Sequence, residues 1–255
     1  MRDSGVAIAP MVDITTRHFR FLMRLLTKRT VLWTPMFYAR RIASRKAHQV
    51  SCMLRFHELE GPPVAQLGGD DPKMMVAAAR RIQSLGYSEV NVNLGCPAHN
   101  AKSERFGASL MLPAAHNTVV AAVRAMTSEL QIPVSVKVRI GVDAHDSYHF
   151  FRDFVARLHQ EGGCDRFVIH ARKALLNGLP DGVSAPQPSS RGAVTTKQNR
   201  LAAIVPLRYE YVHRLKAELP HLRIEINGGI RSIADVHAAT AGGLLDGVIL
   251  RRCLH

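Results

Sequence analysis

Eight short apolar runs divide the chain, most of them separated by longer stretches of helical period. The runs are VAIA (6–9), TVLWT (30–34), PVAQL (63–67), EVNVNL (89–94), PVSVKV (133–138), RFVIH (166–170), RIEIN (223–227) and GVIL (247–250). Their length and their content of Val and Ile predict strands. Between them the apolar spacing predicts helices over 16–28, 71–85, 115–130, 147–161, 206–219 and 232–241. Asp71-Pro72 and Ser232 read as helix starts, and Gly86 and Gly162-Gly163 as stops. Strands alternating with helices on this scale predict an α/β fold, the (β/α)8 TIM barrel, with residues 1–255 forming one domain. An open doubly wound sheet is the alternative, and no GxGxxG follows the first run to support it.

Two stretches break the pattern. Residues 180–197, PDGVSAPQPSSRGAVTTK, carry no apolar period and are expected to be a disordered insertion. The sequence ends five residues after the eighth run, so the helix that would cover that strand is expected to be lacking.

Charge adds a partner to this picture. Lys and Arg number 34 against 20 acidic residues, a formal net charge of +14 with a pI near 10.3. Such an excess attracts polyanions, because each neutralised phosphate releases counterions. Part of it is concentrated in Arg17, Arg20, Arg24, Lys28 and Arg29 and in the ARRIASRK segment at 39–46. A nucleic-acid partner is one reading, and solvated helix faces are the other. No apolar run is long enough to cross a bilayer, and the first ten residues lack the layout of a signal peptide. The four cysteines show no CxxC spacing, so neither a disulfide framework nor a metal site is expected. These features predict a soluble, cytoplasmic, monomeric protein.

In a barrel of this kind chemistry gathers at the C-terminal strand ends. There the sequence places Ala9-Pro10-Met11, Gln66 in QLGG, and Asn91 and Asn93 before Gly95-Cys96-Pro97. It also places Lys137 and Arg139, His170 and Arg172, Asn227-Gly228-Gly229, and Arg251-Arg252. Lys137 within VSVKV should point into the barrel, where an unpaired ammonium is costly. It therefore needs an anionic partner, or it is a deprotonated Schiff-base amine. Glycines after the seventh strand suit a phosphate held by backbone amides, although NGG also marks an ordinary turn. Cys96 alone reads as a packed small residue. Together these groups suggest a barrel that holds a phosphorylated planar cofactor.

The segments APMVDITTRHFR, QLGG, VNLGCP, FGASLM, VKVRIG, IHARKALLNGL and INGGI stand in an order and spacing that resembles the tRNA-dihydrouridine synthases. HARKALLNGL is most similar to the A subfamily. The resemblance spans roughly residues 6 to 250 apart from the insertion. It implies FMN as cofactor, NADPH as reductant, and reduction of a flipped uridine in the tRNA D-loop to 5,6-dihydrouridine. It further implies that Ala9, Pro10 and Met11 pack on the isoalloxazine, and that Gln66, Lys137 and His170 bond the cofactor's polar groups. Asn227, Gly228, Gly229 and Arg252 would hold its phosphate, with Arg251 next to the cofactor. Cys96 would be the catalytic proton donor, and Asn93, Arg139, Arg172, Asn199 and Arg200 would contact the RNA substrate.

The sequence departs from that family in several places. Arg251-Arg252 replaces a usual Gly-Arg, and Ser109 stands where many relatives carry a second cysteine. The C-terminal helical domain that grips tRNA in the family is expected to be lacking. Three alternatives follow: a truncated, weakly active or inactive homologue that retains only RNA binding, an FMN-dependent oxidoreductase acting on free dihydropyrimidine or dihydroorotate, and a lysine-dependent aldolase. The aldolase leaves the GCP cysteine without a role.

Overall fold

The computed structural model describes residues 5–98, 100–176, 205–240 and 244–251. Within them lie β1 (Val6–Ile8), α1 (Arg17–Leu26), β2 (Trp33–Tyr38), α2 (Ala39–Ser44), α3 (Ala47–Leu54) and β3 (Val64–Gly68). Next come α4 (Pro72–Ser84), β4 (Glu89–Leu94), α5 (His116–Glu129), β5 (Val134–Arg139), α6 (Tyr148–Gln160) and β6 (Arg166–His170). The last described elements are α7 (Tyr209–Glu218), β7 (Arg223–Asn227), α8 (Ile233–Thr240) and β8 (Gly247–Leu250).

All strand pairs are parallel, in the order β1-β8-β7-β6-β5-β4-β3-β2. Val31 joins the two ends of the sheet: Ile8 N–H donates to Val31 O at 3.0 Å, and Val31 N–H donates to Val6 O at 3.1 Å. The predicted barrel is thus the observed fold.

Alternation along each strand divides the molecule into two cores. On β4, Val90, Val92 and Leu94 face the helices and belong to the large core between sheet and helix layer. Asn91 and Asn93, with the opposite parity, face the barrel interior. The apolar interior itself is small, formed by Ala7, Ala9, Trp33, Val64, Val168 and Ile249. Most of the hydrophobic stabilisation lies outside the barrel, which frees the strands' inner faces for polar groups.

Local chemistry sets the helix ends. The Asp71 carboxylate accepts from Met74 N–H at 3.0 Å, with Pro72 as the first helical residue of α4. Gly86 lies just beyond α4 at φ +83°. Ser232 accepts from Asp235 N–H at 3.1 Å before α8.

The structure corrects two expectations about elements. The second strand runs 33–38, not 30–34, because Pro35 is accommodated where the register to β3 shifts between Trp33 and Met36. There the Thr34 hydroxyl accepts the Gln66 N–H at 3.1 Å. Residues 39–46, read only as a basic stretch, and the residues up to 54, given no element, form α2 and α3, which bury Ile42, Val50 and Leu54. The insertion expected at 180–197 lies outside the described residues.

The basic cluster of α1 also needs correction. Arg20 is buried, pairs with Glu60 at 2.7 Å and donates to Thr15 O at 2.9 Å. Arg24 donates to the carbonyls of Glu60 and Thr30 at 3.0 and 2.9 Å. Both cations tie α1 to the loops at its flank. Among the described residues, no helix is long and apolar enough to cross a membrane.

Candidate active site

A cavity of about 300 Å³ opens at the C-terminal ends of the strands. Ala9, Pro10, Met11, Gln66, Asn93, Cys96, Lys137, Arg139, His170, Asn227 and Arg251 all line it. Strand register brings them together: Asn93 lies beside Lys137, and Arg139, His170 and Asn227 lie in one row across β5, β6 and β7.

Cys96 is half-buried at this wall, on a loop fixed from three sides. Asn93 Oδ1 accepts the N–H groups of Gly95 and Cys96, each at 3.0 Å. Arg139 Nε donates to Gly95 O at 2.6 Å, and Ala108 N–H donates to Cys96 O at 2.9 Å. Gly107 adopts φ +65° beneath the loop, where a Cβ would meet Cys96 O at 2.5 Å, so only glycine fits. The Ser109 hydroxyl lies 2.9 and 2.8 Å from the carbonyl oxygens of Ala101 and Phe106, which share its one proton. Those bonds hold the neighbouring segment without a second cysteine.

The amides in the wall are oriented by their partners. Asn93 Nδ2 donates to Gln66 Oε1, and Gln66 Nε2 donates to Asn91 Oδ1, both at 2.9 Å. Asn227 Oδ1 accepts from Lys137 Nζ at 3.0 Å, while its Nδ2 donates to Ile249 O at 2.7 Å. The oxygens of all three wall amides are engaged inside the protein, and both lone pairs of Asn93 Oδ1 are taken, which leaves Asn93 only N–H for the cavity.

The charges are one-sided. Burial, then Arg139 and Arg251, lower Lys137 to about 7, with Cys96 acting in the opposite sense. Burial, opposed by Cys96 and reinforced by Arg251 and Arg172, lowers Arg139 to about 10. Burial holds His170 well below the ordinary histidine value, and Arg139, Lys137, Arg172 and Arg251 add to the effect. The imidazole is therefore neutral at pH 7. Among the described residues, no Asp or Glu lines the cavity. Lys137 faces the barrel interior as expected, but its protein partner is a neutral amide rather than an anion.

The remaining predicted residues fall at the margin or beyond it. Arg172 donates to Val205 O at 3.0 Å and contributes its charge to His170. Arg139 lines the cavity, yet its guanidinium serves Gly95 O and Lys173 O, the latter at 3.2 Å. Gly228 and Gly229 sit at φ +110° and +76° beside His170, Leu207 and Tyr209, and a Cβ on Gly228 would meet His170 Cδ2 at 2.6 Å. Arg252, Asn199 and Arg200 lie outside the described residues. Sequence reasoning missed Met36, which enters the wall from β2 in space left by Gly68, where a Cβ would meet Met36 Sδ at 2.7 Å. The signal was the Gly of QLGG, legible only once strand two is placed correctly.

These residues fit an anionic, planar ligand. Pro10, Met11 and Met36 supply an apolar wall, the amides supply donors, and the unbalanced cations call for negative charge. FMN has that chemistry.

Comparison with known proteins gives the family. The family model described as dihydrouridine synthase (Dus) matches residues 7–255. The tRNA-dihydrouridine(20/20a) synthase of Vibrio parahaemolyticus is 41% identical over 249 residues, covering 97% of this chain and 68% of that protein. The enzyme of the same name from Synechocystis is 44% identical over 231 residues, covering 89% of this chain and 62% of its own length. The chain thus spans about two thirds of the length of these relatives. Among solved structures, histamine dehydrogenase from Rhizobium sp. 4-9 matches with a TM-score of 0.66 at 10% identity, over 97% of this chain and 43% of that one. An active chimera of (S)-mandelate dehydrogenase matches with a TM-score of 0.55 at 13% identity, over 97% of this chain and 66% of that one. At such identities the likeness is one of fold. The sequence match over almost the whole chain, on a closed barrel that gathers the GCP cysteine, the inward lysine and the NGG turn at one rim, places this protein in the dihydrouridine synthase family of oxidoreductases.

Proposed function

We propose that this protein reduces uridine in the D-loop of tRNA to 5,6-dihydrouridine, with FMN as cofactor and NADPH as reductant. One observation carries the reading: Cys96 stands at a cavity where Asn93 has only N–H to offer and whose lining includes no carboxylate among the described residues. When bound, FMN supplies the two-electron carrier between NADPH and the base. Pro10, Met11 and Met36 bound its ring, Gln66, Lys137 and His170 serve its polar groups, and Asn227, Gly228, Gly229 and Arg251 serve its phosphate.

The protein's own residues then act on the base. Hydride addition at C6 of the base leaves negative charge at C5 and O4, and a proton must then reach C5 to complete saturation of the C5–C6 bond. The Cys96 thiol supplies that proton from a loop that Asn93, Arg139 and Ala108 hold still. The free N–H of Asn93 meets a carbonyl oxygen of the base and steadies the developing charge. A uracil inside folded RNA must leave its stack to reach this depth, so the base is flipped. Arg172 and the excess positive charge favour approach of the polyanion.

The test of cofactor use is direct. Protein purified without added flavin, mixed with FMN and freed of excess by gel filtration, should elute yellow at one flavin per chain. A protein that elutes colourless would overturn the cofactor assignment.

A further inference from the structure

Beneath the cavity the polar side chains continue down through the barrel, and chemistry dictates the direction of each hydrogen bond. The backbone N–H groups of Gly95 and Cys96 can only donate, so the Asn93 atom facing them is Oδ1. Its Nδ2 must then turn to Gln66 Oε1, which leaves Gln66 to donate through Nε2 to Asn91 Oδ1. Asn91 Nδ2 in turn donates to Ser135 Oγ at 2.8 Å, and the Ser135 hydroxyl donates to the Glu89 carboxylate. Glu89 is the first residue of β4, at the opposite mouth of the barrel from Cys96, where Arg166 donates to its other oxygen at 3.0 Å.

The column has one polarity from end to end. Asn91, Gln66 and Ser135 are 0%, 1% and 1% exposed, so the solvent offers no substitute partner. Both Glu89 oxygens accept, one from Ser135 and one from Arg166, which suits Glu89 to terminate a series of donors. Reversing any amide would set two acceptors or two donors face to face.

We infer that Glu89, Ser135 and Asn91 are positioning residues for the reaction. They hold Gln66, and through it Asn93, so that Asn93 presents N–H, and no oxygen, to the cavity. The inference rests on the proposed reading of Gln66 and Asn93 as contacts to cofactor and base. It extends that reading to selectivity: a carbonyl oxygen is accepted opposite Asn93, and an exocyclic amino group is refused there.

The experiment uses the full chain. Ser135→Ala cuts the column while leaving the Glu89–Arg166 pair, Ser135→Thr keeps the hydroxyl, and Asn91→Leu removes the central link at similar volume. Three quantities are read: the rate of Cys96 alkylation by iodoacetamide in FMN-free protein, with exposed Cys52 as internal standard; the visible spectrum after FMN addition; and kcat and KM with unmodified tRNA. Ser135→Ala should change the Cys96-to-Cys52 alkylation ratio about threefold or more and shift the flavin absorption. It should lower kcat on the order of tenfold with KM for tRNA little changed. Ser135→Thr should restore all three. If Ser135→Ala does not fold, Asn91→Leu is read in its place with the same expectation.

A folded variant with wild-type alkylation ratio, flavin spectrum and kcat would overturn the inference, as would a loss confined to thermal stability. Should the wild type itself fail to take up FMN, the cofactor reading falls, and the alkylation ratio in FMN-free protein alone decides the positioning role.

Discussion

Lys137 Nζ donates to Asn227 Oδ1 at 3.0 Å, reaching from β5 over β6 to β7. The amide oxygen satisfies one donor but does not offset the charge. Burial, with Arg139 and Arg251 nearby, therefore leaves the lysine at about 7 despite the opposing effect of Cys96.

That depression has a sign in the pH dependence of stability. In the unfolded chain a lysine titrates near ~10.4, so between about 10 and 7 the unfolded state binds the proton more tightly. The folded state is favoured above the unfolded value and loses that advantage as pH falls towards 7. In urea unfolding of the FMN-free protein, wild type should gain roughly 1–3 kcal/mol on Lys137→Met between pH 7 and pH 9.5. Parallel profiles for the two proteins would contradict the buried, charge-crowded setting.

An anionic ligand in the cavity supplies the counter-charge that the wall lacks. FMN binding at pH 8 should therefore be coupled to proton uptake, and affinity should decline as pH rises further. Calorimetry in two buffers of different ionisation enthalpy measures the uptake, and Lys137→Met should abolish most of it.

Cys96 and the flavin-reducing half of the reaction should separate. Cys96→Ala is expected to lose uridine reduction by a factor on the order of 10²–10⁴. NADPH oxidation by oxygen should continue at near the wild-type rate. A variant that still forms dihydrouridine at the wild-type rate would remove the thiol from the mechanism.

Gly107 tests the loop rather than the thiol. Alanine at φ +65°, with its Cβ 2.5 Å from Cys96 O, should cost roughly 2–4 kcal/mol and displace Cys96. Thermal unfolding gives the first effect, and the alkylation rate of Cys96 relative to Cys52 gives the second.

How far the sequence reached depended on whether a signal was local. Seven of the eight strands were placed to within a residue or so because their Val- and Ile-rich runs are bounded by clear breakers. Strand two was misplaced because Pro35 reads as a strand end, whereas a register shift absorbs it. Lys137 was legible from its inward parity, whereas Cys96 alone read as a packed residue and stood out only beside Lys137 and His170 on the rim they share. The dual use of Arg139 and the burial of Arg20 were not legible, since a carbonyl or carboxylate partner 40 or more residues away leaves no mark on the local pattern. The orientation of Gln66 and Asn93 was hidden for the same reason, being fixed by partners on three strands.

The most direct test of the account follows reoxidation of the bound flavin, without oxygen, after reduction by NADPH. Unmodified tRNA should reoxidise it in a single turnover and yield one dihydrouridine per flavin. Free uridine should leave it reduced. Flavin that stays reduced with tRNA, or that is reoxidised equally well by the free nucleoside, would contradict the assignment of tRNA uridine as the substrate of this site.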